Sequence, residues 1–215
     1  MTNFTCRYNS AGFFMSKNVF NPEYQNKNIS SKIVAGLERI SEVFRVLLWD
    51  KAKQFGLSPI QIQILIFIAY HKTELCNVSH LAKEFNLTKP TISDAIRVLH
   101  KKEFIIKDFS QHDSRSYSIL LSKSGKQIVS QTESFANPLQ QQINTFATEN
   151  LDDLFKTLST LIYKLHKTEI LTVQRTCFGC KFYNMRMQKD YCNLLEKELI
   201  NSDIRIDCPE FEEKI

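Results

Sequence analysis

The sequence predicts a mainly α (α+β) fold: helix, tight turn, helix and basic hairpin from Asn77 to Gly125, framed by long helices and followed by a small Cys-rich tail. Three observations predict it. Short apolar stripes at helical spacing between Ser79 and Lys101 give way to strand-like alternation at Phe104–Phe109 and Tyr117–Leu121. Two longer seams, Ile33-Leu37-Ile40-Phe44-Leu47 and Leu151-Leu154-Leu158-Leu161-Leu165, advance in alternating steps of four and three and want helical partners. Of the six cysteines, four fall within the last 39 residues.

Residues 1–28, rich in Asn and Ser and without periodicity, read as a flexible N-terminal arm. Residues 29–174 form the main body, which opens on the first seam. Ser58-Pro59 starts a helix through His71 in which Ile60, Ile62, Ile64, Leu65, Ile66 and Ile68 leave little polar face, so it belongs in the core. The reader segment, 77–125, follows. Its first helix, Ser79 to Phe85, buries Leu81, Ala82 and Phe85, and Asn86 suits a left-handed C-terminal cap. Thr88 caps the next helix, where Pro90 is tolerated in the first turn and Ile92, Ala95, Ile96 and Leu99 form the inward stripe. Lys89, Thr91, Ser93, Asp94 and Arg97 remain on other faces. A polar-faced helix after so short a turn fits a recognition helix in the major groove. Asp94 suits pairing with Arg97 three residues on better than acceptance from a cytosine amino group. Beyond the hairpin, the helix from Ser122 carries Pro138, which kinks or interrupts it.

The hairpin carries a polar tip, Ser110-Gln111-His112-Asp113-Ser114. Asp113-Ser114-Arg115, then Ser116-Tyr117-Ser118-Ile119-Leu120-Leu121-Ser122-Lys123-Ser124-Gly125, resembles the wing of MarR-family winged helix-turn-helix regulators: Asp-x-Arg, a strand, then Leu-Thr/Ser-x-x-Gly opening a long helix. The resemblance implies that Arg115 lies at or in the minor groove and that Asp113 orients it. An Arg on a wing suits a narrow, electronegative groove. This chain departs from the family in carrying Ser114 where a second arginine often stands, and Glu103 where a glycine often ends the recognition helix.

The DNA-contact set expected from this reading is Thr88, Lys89, Thr91, Ser93, Arg97, Asp113 and Arg115, acting on double-stranded DNA. Charge agrees: residues 30–125 hold 14 Lys and Arg against 9 Asp and Glu, which accounts for the whole net charge of +5. The resemblance further implies a homodimer whose first and last helices intertwine, placing two readers on a pseudo-palindromic operator as a repressor. Many relatives also take a small effector between dimer frame and reader. No apolar run reaches membrane-spanning length, so the expectation is a cytoplasmic protein without a membrane partner.

Residues 175–215 form the tail. Cys177, Cys180, Cys192 and Cys208 cluster there, and in a reducing compartment such clustering points to a metal centre rather than to disulfides. Its few apolar residues are too small a core for an independent module without a staple. Two metals fit. Zinc sites usually bring two close ligand pairs, whereas here Cys177-Phe178-Gly179-Cys180 is followed by two single cysteines. This arrangement is similar to small [4Fe-4S] proteins of the high-potential type, and Cys208-Pro209 resembles the Cys-Pro that closes ferredoxin motifs. Gly179 would let backbone N–H groups approach the sulfurs. Zinc would be structural; an iron-sulfur cluster would be a candidate redox sensor acting through the adjacent Leu151–Leu165 seam.

An enzyme is not expected. There is no Gly-rich phosphate loop, and His71, His80, His100, His112 and His166 form no His-x-Glu or His-Glu-x-x-His pattern. Cys76 reads as a buried inert thiol. The alternative to a regulator is an iron-sulfur redox or protein-interaction module that uses the winged helix as a docking scaffold.

Overall fold

The computed structural model describes residues 17–109 and 117–214. The chain divides into two compact units, Met1–Leu47 and Leu48–Ile215, so the tail shares a unit with the reader. The first two helices among the described residues are α1 (Pro22–Lys27) and α2 (Ile29–Phe55). The first replaces part of the expected arm. Asn21 accepts from the Glu23 N–H at 3.0 Å and Pro22 fills the first turn, a start signal on a helix of six residues, too short to display a period. Along α2, Ile33, Leu37, Ile40 and Phe44 are exposed, while Leu48 and Ala52 are buried.

The core of the second unit is built on α3 (Pro59–Tyr70), whose Gln61 Oε1 accepts from the Ser58 N–H at 2.9 Å and whose Ile62, Ile64 and Leu65 are fully buried. Around it lie α4 (Val78–Glu84), α5 (Lys89–Lys101) and an antiparallel hairpin of β1 (Ile105–Asp108) and β2 (Ser118–Leu121), in register from Ile105 opposite Leu121 to Asp108 opposite Ser118. This is a winged helix-turn-helix. Asn77 caps α4 by accepting from the His80 N–H at 2.9 Å, and Thr88 caps α5 by accepting from the Thr91 N–H at 3.3 Å. Ile92, Ala95, Ile96 and Leu99 are buried as their spacing requires, and Asn86 takes the left-handed conformation at φ 52°.

Glu103, a departure from the resembled pattern, sits at φ 59°. Its carbonyl is pinned by the hydroxyls of Ser122 and Ser124 at 2.6 and 2.7 Å, so the backbone holds this conformation whatever the side chain. A Cβ in this region is strained. Glu103→Gly should therefore raise stability by about 0.5–1 kcal/mol, net of the entropy glycine adds to the unfolded chain, read as a higher denaturant midpoint.

The helix after the hairpin is interrupted near Pro138. It runs as α6 (Lys123–Thr132), a 3-10 turn at Glu133–Ala136, and α7 (Asn137–Ile143) with Pro138 in its first turn. α8 (Thr148–Lys167) then leads to the tail, whose sheet has the order β3 (Tyr183–Arg186), β4 (Lys189–Cys192), β5 (Lys197–Glu198). The tail docks on α8 through Phe178 against Tyr163, ring centres 6.4 Å apart, and through the Asn201 amide donating to the Asp152 carbonyl at 3.0 Å.

Candidate nucleic-acid interface and cysteine site

The inward stripe of α5 turns the opposite face out, and Thr88, Lys89, Thr91, Ser93 and Arg97 are all exposed on it. These five side chains make one polar surface on one short helix. Arg97 and Asp94 pair at 2.6 Å and both are well exposed, so Asp94 screens Arg97 rather than standing alone. The Thr88 and Thr91 hydroxyls lie 2.8 Å apart. Near the loop end of the hairpin, Lys107 lies over the Tyr117 ring at 4.7 Å, a positive charge that the sequence reading did not single out. Asp113 and Arg115 lie outside the described residues.

The four cysteines of the tail come from three places. Cys177 and Cys180 flank a 3-10 turn, Cys192 ends β4, and Cys208 follows a loop. Backbone hydrogen bonds hold the first and the last, Cys177 N–H to the Arg205 carbonyl at 3.1 Å, Cys180 N–H to the Cys177 carbonyl at 3.0 Å and Cys208 N–H to the Arg175 carbonyl at 3.1 Å, while Cys192 is held in the β3–β4 ladder opposite Tyr183. All four line one cavity of about 40 Å³. Burial raises the Cys177 pKa, an N–H from Arg205 opposes this, and the other three cysteines raise it further. Among the described residues, however, no three His, Cys, Asp or Glu side chains stand where one ion could be held by them together.

Gly179 stands where a side chain would not fit. Its N–H donates to the Thr176 carbonyl, and a Cβ here would lie 1.9 Å from the Gln174 amide nitrogen. That Gln174 amide is committed, since its Oε1 accepts from both the N–H and the hydroxyl of Thr176 at 2.8 and 2.6 Å. Gly179→Ala should therefore expel Gln174, leave buried Thr176 groups unpaired and cost about 2 kcal/mol, measured by thermal unfolding.

A feature that sequence reasoning missed joins tail and reader. Arg175, two residues before Cys177, donates to both carboxylate oxygens of Glu84 at the end of α4, at 2.7 and 2.9 Å, and also to Asp207, the neighbour of Cys208. Its guanidinium lies 5.6 Å from the Phe67 ring centre, and His71, stacked on Phe67, meets Asp207 at 2.8 Å. The Thr172 hydroxyl donates to the Lys83 carbonyl, and Lys72 meets Glu210 at 3.2 Å. Burial would raise the Glu84 pKa, but His80 Nε2 at 3.6 Å and the Arg175 contacts hold it down to about 2. Burial acts the same way on Asp207, and Arg175 and His71 overcome it to lower that pKa as well.

Beside this network lies a cavity of about 920 Å³ between the end of α3, α4, α8 and the tail, bordered by Tyr70, His80, Lys83, His166 and Arg175. His166 Nδ1 is buried there without a hydrogen-bond partner, and the nearest partner of the buried His80 Nε2 is Glu84 at 3.6 Å. Cys76 is buried, and burial next to Glu74 pushes its thiol up to about 11, the inert state expected for it.

Residues 55–116 match the MarR family model. Among solved structures, the chain is similar to MepR of S. aureus in a DNA complex, with 22% identity, TM-score 0.55, and coverage of 62% of this chain and 97% of that one. MepR in its DNA-binding conformation gives the same identity and TM-score, with 98% of that chain covered. A MarR transcriptional regulator from Methanosarcina mazei Go1 is similar at 18% identity and TM-score 0.53, over 61% of this chain and 96% of that one. Among curated proteins none matches the chain.

Proposed function

From a winged-helix region of the MarR family, we infer that this chain is a sequence-specific DNA-binding transcriptional regulator and not an enzyme. The observation that carries the reading is the outward face of α5, where five polar side chains stand clear of the core in front of a hairpin. Such a helix reaches base edges in the major groove while cations position it on phosphates.

In this reading the regulator works as a homodimer that represses by occupying a pseudo-palindromic operator. The exposed apolar residues of α2, Ile33, Leu37, Ile40 and Phe44, support a helical partner, since water is a poor neighbour for so long a seam. Arg115 enters the minor groove, with Asp113 orienting it. The cavity beside His80 and His166 is of a size for a small effector, and the buried His166 Nδ1, without a hydrogen-bond partner, is a ready hydrogen-bonding group. No single helix among the described residues is long and apolar enough to cross a membrane, and the reading is of a cytoplasmic protein.

The tail is read as a metal centre on Cys177, Cys180, Cys192 and Cys208, structural or redox-sensing. Its signal would reach DNA by a shorter route than the dimer helices. Arg175, two residues before Cys177, pairs with Asp207, the neighbour of Cys208, and donates to Glu84 on the helix that packs against α5.

The test is salt-dependent DNA binding of two variants. Lys89→Ala and Arg115→Ala should each weaken binding and reduce the salt slope by about one. Unchanged affinity and slope in both would refute the reading and favour a docking scaffold for a redox module.

A further inference from the structure

We infer that the four tail cysteines hold a cuboidal [4Fe-4S] cluster rather than a zinc ion. The inference rests on reading the tail as a metal centre and names which centre it is. A single zinc draws four sulfurs to about 2.3 Å from one point, which sets them roughly 3.8 Å from each other in a tetrahedron. The chain does not bring even three candidate ligands together in that way among the described residues. It nevertheless points all four cysteines at one cavity. A cuboidal cluster demands this combination: each thiolate binds a different iron, so the sulfurs stand apart around a volume that the inorganic core fills.

At about 40 Å³ the cavity between the cysteines is larger than one water molecule needs. Its remaining wall is mostly apolar, with Phe182, Leu194, Leu195 and Leu199, and its charged members are Asp203, Arg205 and Glu210. Spacing is set by backbone rather than by the ligand. The pairings of Cys177 with Arg205 and of Cys208 with Arg175 fix two ligands to opposite strands of chain, and the Tyr183 N–H donates to the Cys180 carbonyl at 3.0 Å at the start of the β3–β4 hairpin that carries Cys192.

Donors are also in place for cluster sulfurs. The Arg205 N–H points at Cys177 Sγ at 3.2 Å, and the Arg205 guanidinium approaches Cys208 Sγ at 3.8 Å. Hydrogen bonds of this kind tune the potential of an iron-sulfur centre. Arg205 also places a positive charge against four thiolates whose mutual repulsion is unfavourable without a cation.

The test uses full-length protein isolated without oxygen and then incubated, in separate samples, with ferrous iron plus sulfide and with zinc. Expected are about four irons and four sulfides per chain and a broad band near 400 nm that dithionite bleaches. Cys192→Ser should lose most of the iron and the band while its far-UV circular dichroism stays that of the parent. One tightly held zinc per chain, displaced by no amount of iron and sulfide, would overturn the cluster and leave the metal reading standing. Neither metal retained in either sample would overturn both. Iron retained equally by parent and Cys192→Ser would overturn the assignment of this ligand set.

Discussion

Arg175→Ala should destabilise the second unit by about 3–5 kcal/mol, the range for removing one partner of a buried ion pair. Arg175 is only 12% exposed and Glu84 19%, so the Glu84 carboxylate would be left desolvated with its principal cation gone. The penalty is a property of the pair. Replacing Glu84 with Gln in the Arg175→Ala background should recover part of the loss, and a double-mutant cycle measures the coupling. The sign of the pH dependence follows from Glu84. Its carboxyl is held at about 2 against an ordinary value of 4.5, so the stabilisation is complete above pH 4.5 and is lost as pH falls toward 2. The difference between parent and Arg175→Ala should therefore shrink over that interval. Urea unfolding at pH 7 and pH 3 checks both the size and the trend.

None of this network was legible in the sequence. Arg175 and Glu84 are 91 residues apart, and neither has a local pattern that marks its partner. What was legible is short-range. Ile92, Ala95, Ile96 and Leu99 announced the inward face of α5 by spacing alone. Thr88 and Asn86 announced where it starts and where α4 stops, because a cap and a left-handed residue are one-residue requirements. The outward positions of Lys89, Thr91, Ser93 and Arg97 then follow as the complement of the buried stripe. The four cysteines were legible as a set, but whether they converge on an ion or surround a volume depends on three loops whose geometry no spacing states. Pro22–Lys27 escaped for another reason, since six residues are less than two turns of helix.

The second large effect is expected at Gly125. A Cβ there would lie 1.9 Å from the Phe104 carbonyl oxygen and 2.9 Å from its carbon, both backbone atoms. They cannot retreat freely, because the same carbonyl accepts from the Ser122 N–H at 3.1 Å and so ties the start of the hairpin to the start of α6. The close approach explains why the segment Leu121-Ser122-Lys123-Ser124-Gly125 ends in glycine. Gly125→Ala should cost about 3 kcal/mol, at the upper end of overpacking penalties. It should also lower DNA affinity by displacing the hairpin relative to α5. Chemical unfolding reports the first effect and a binding titration the second. A fully stable Gly125→Ala protein would mean that the hairpin and α6 do not meet as closely as the structure has them.

Sequence-specific binding is tested by selection of bound sequences from a pool of random duplexes by the whole chain. Enrichment of one pseudo-palindromic sequence is expected, with half-sites about one helical turn apart, bound with an affinity that falls steeply with salt. A pool that emerges unenriched after repeated rounds, or binding that ignores both sequence and salt, would contradict it.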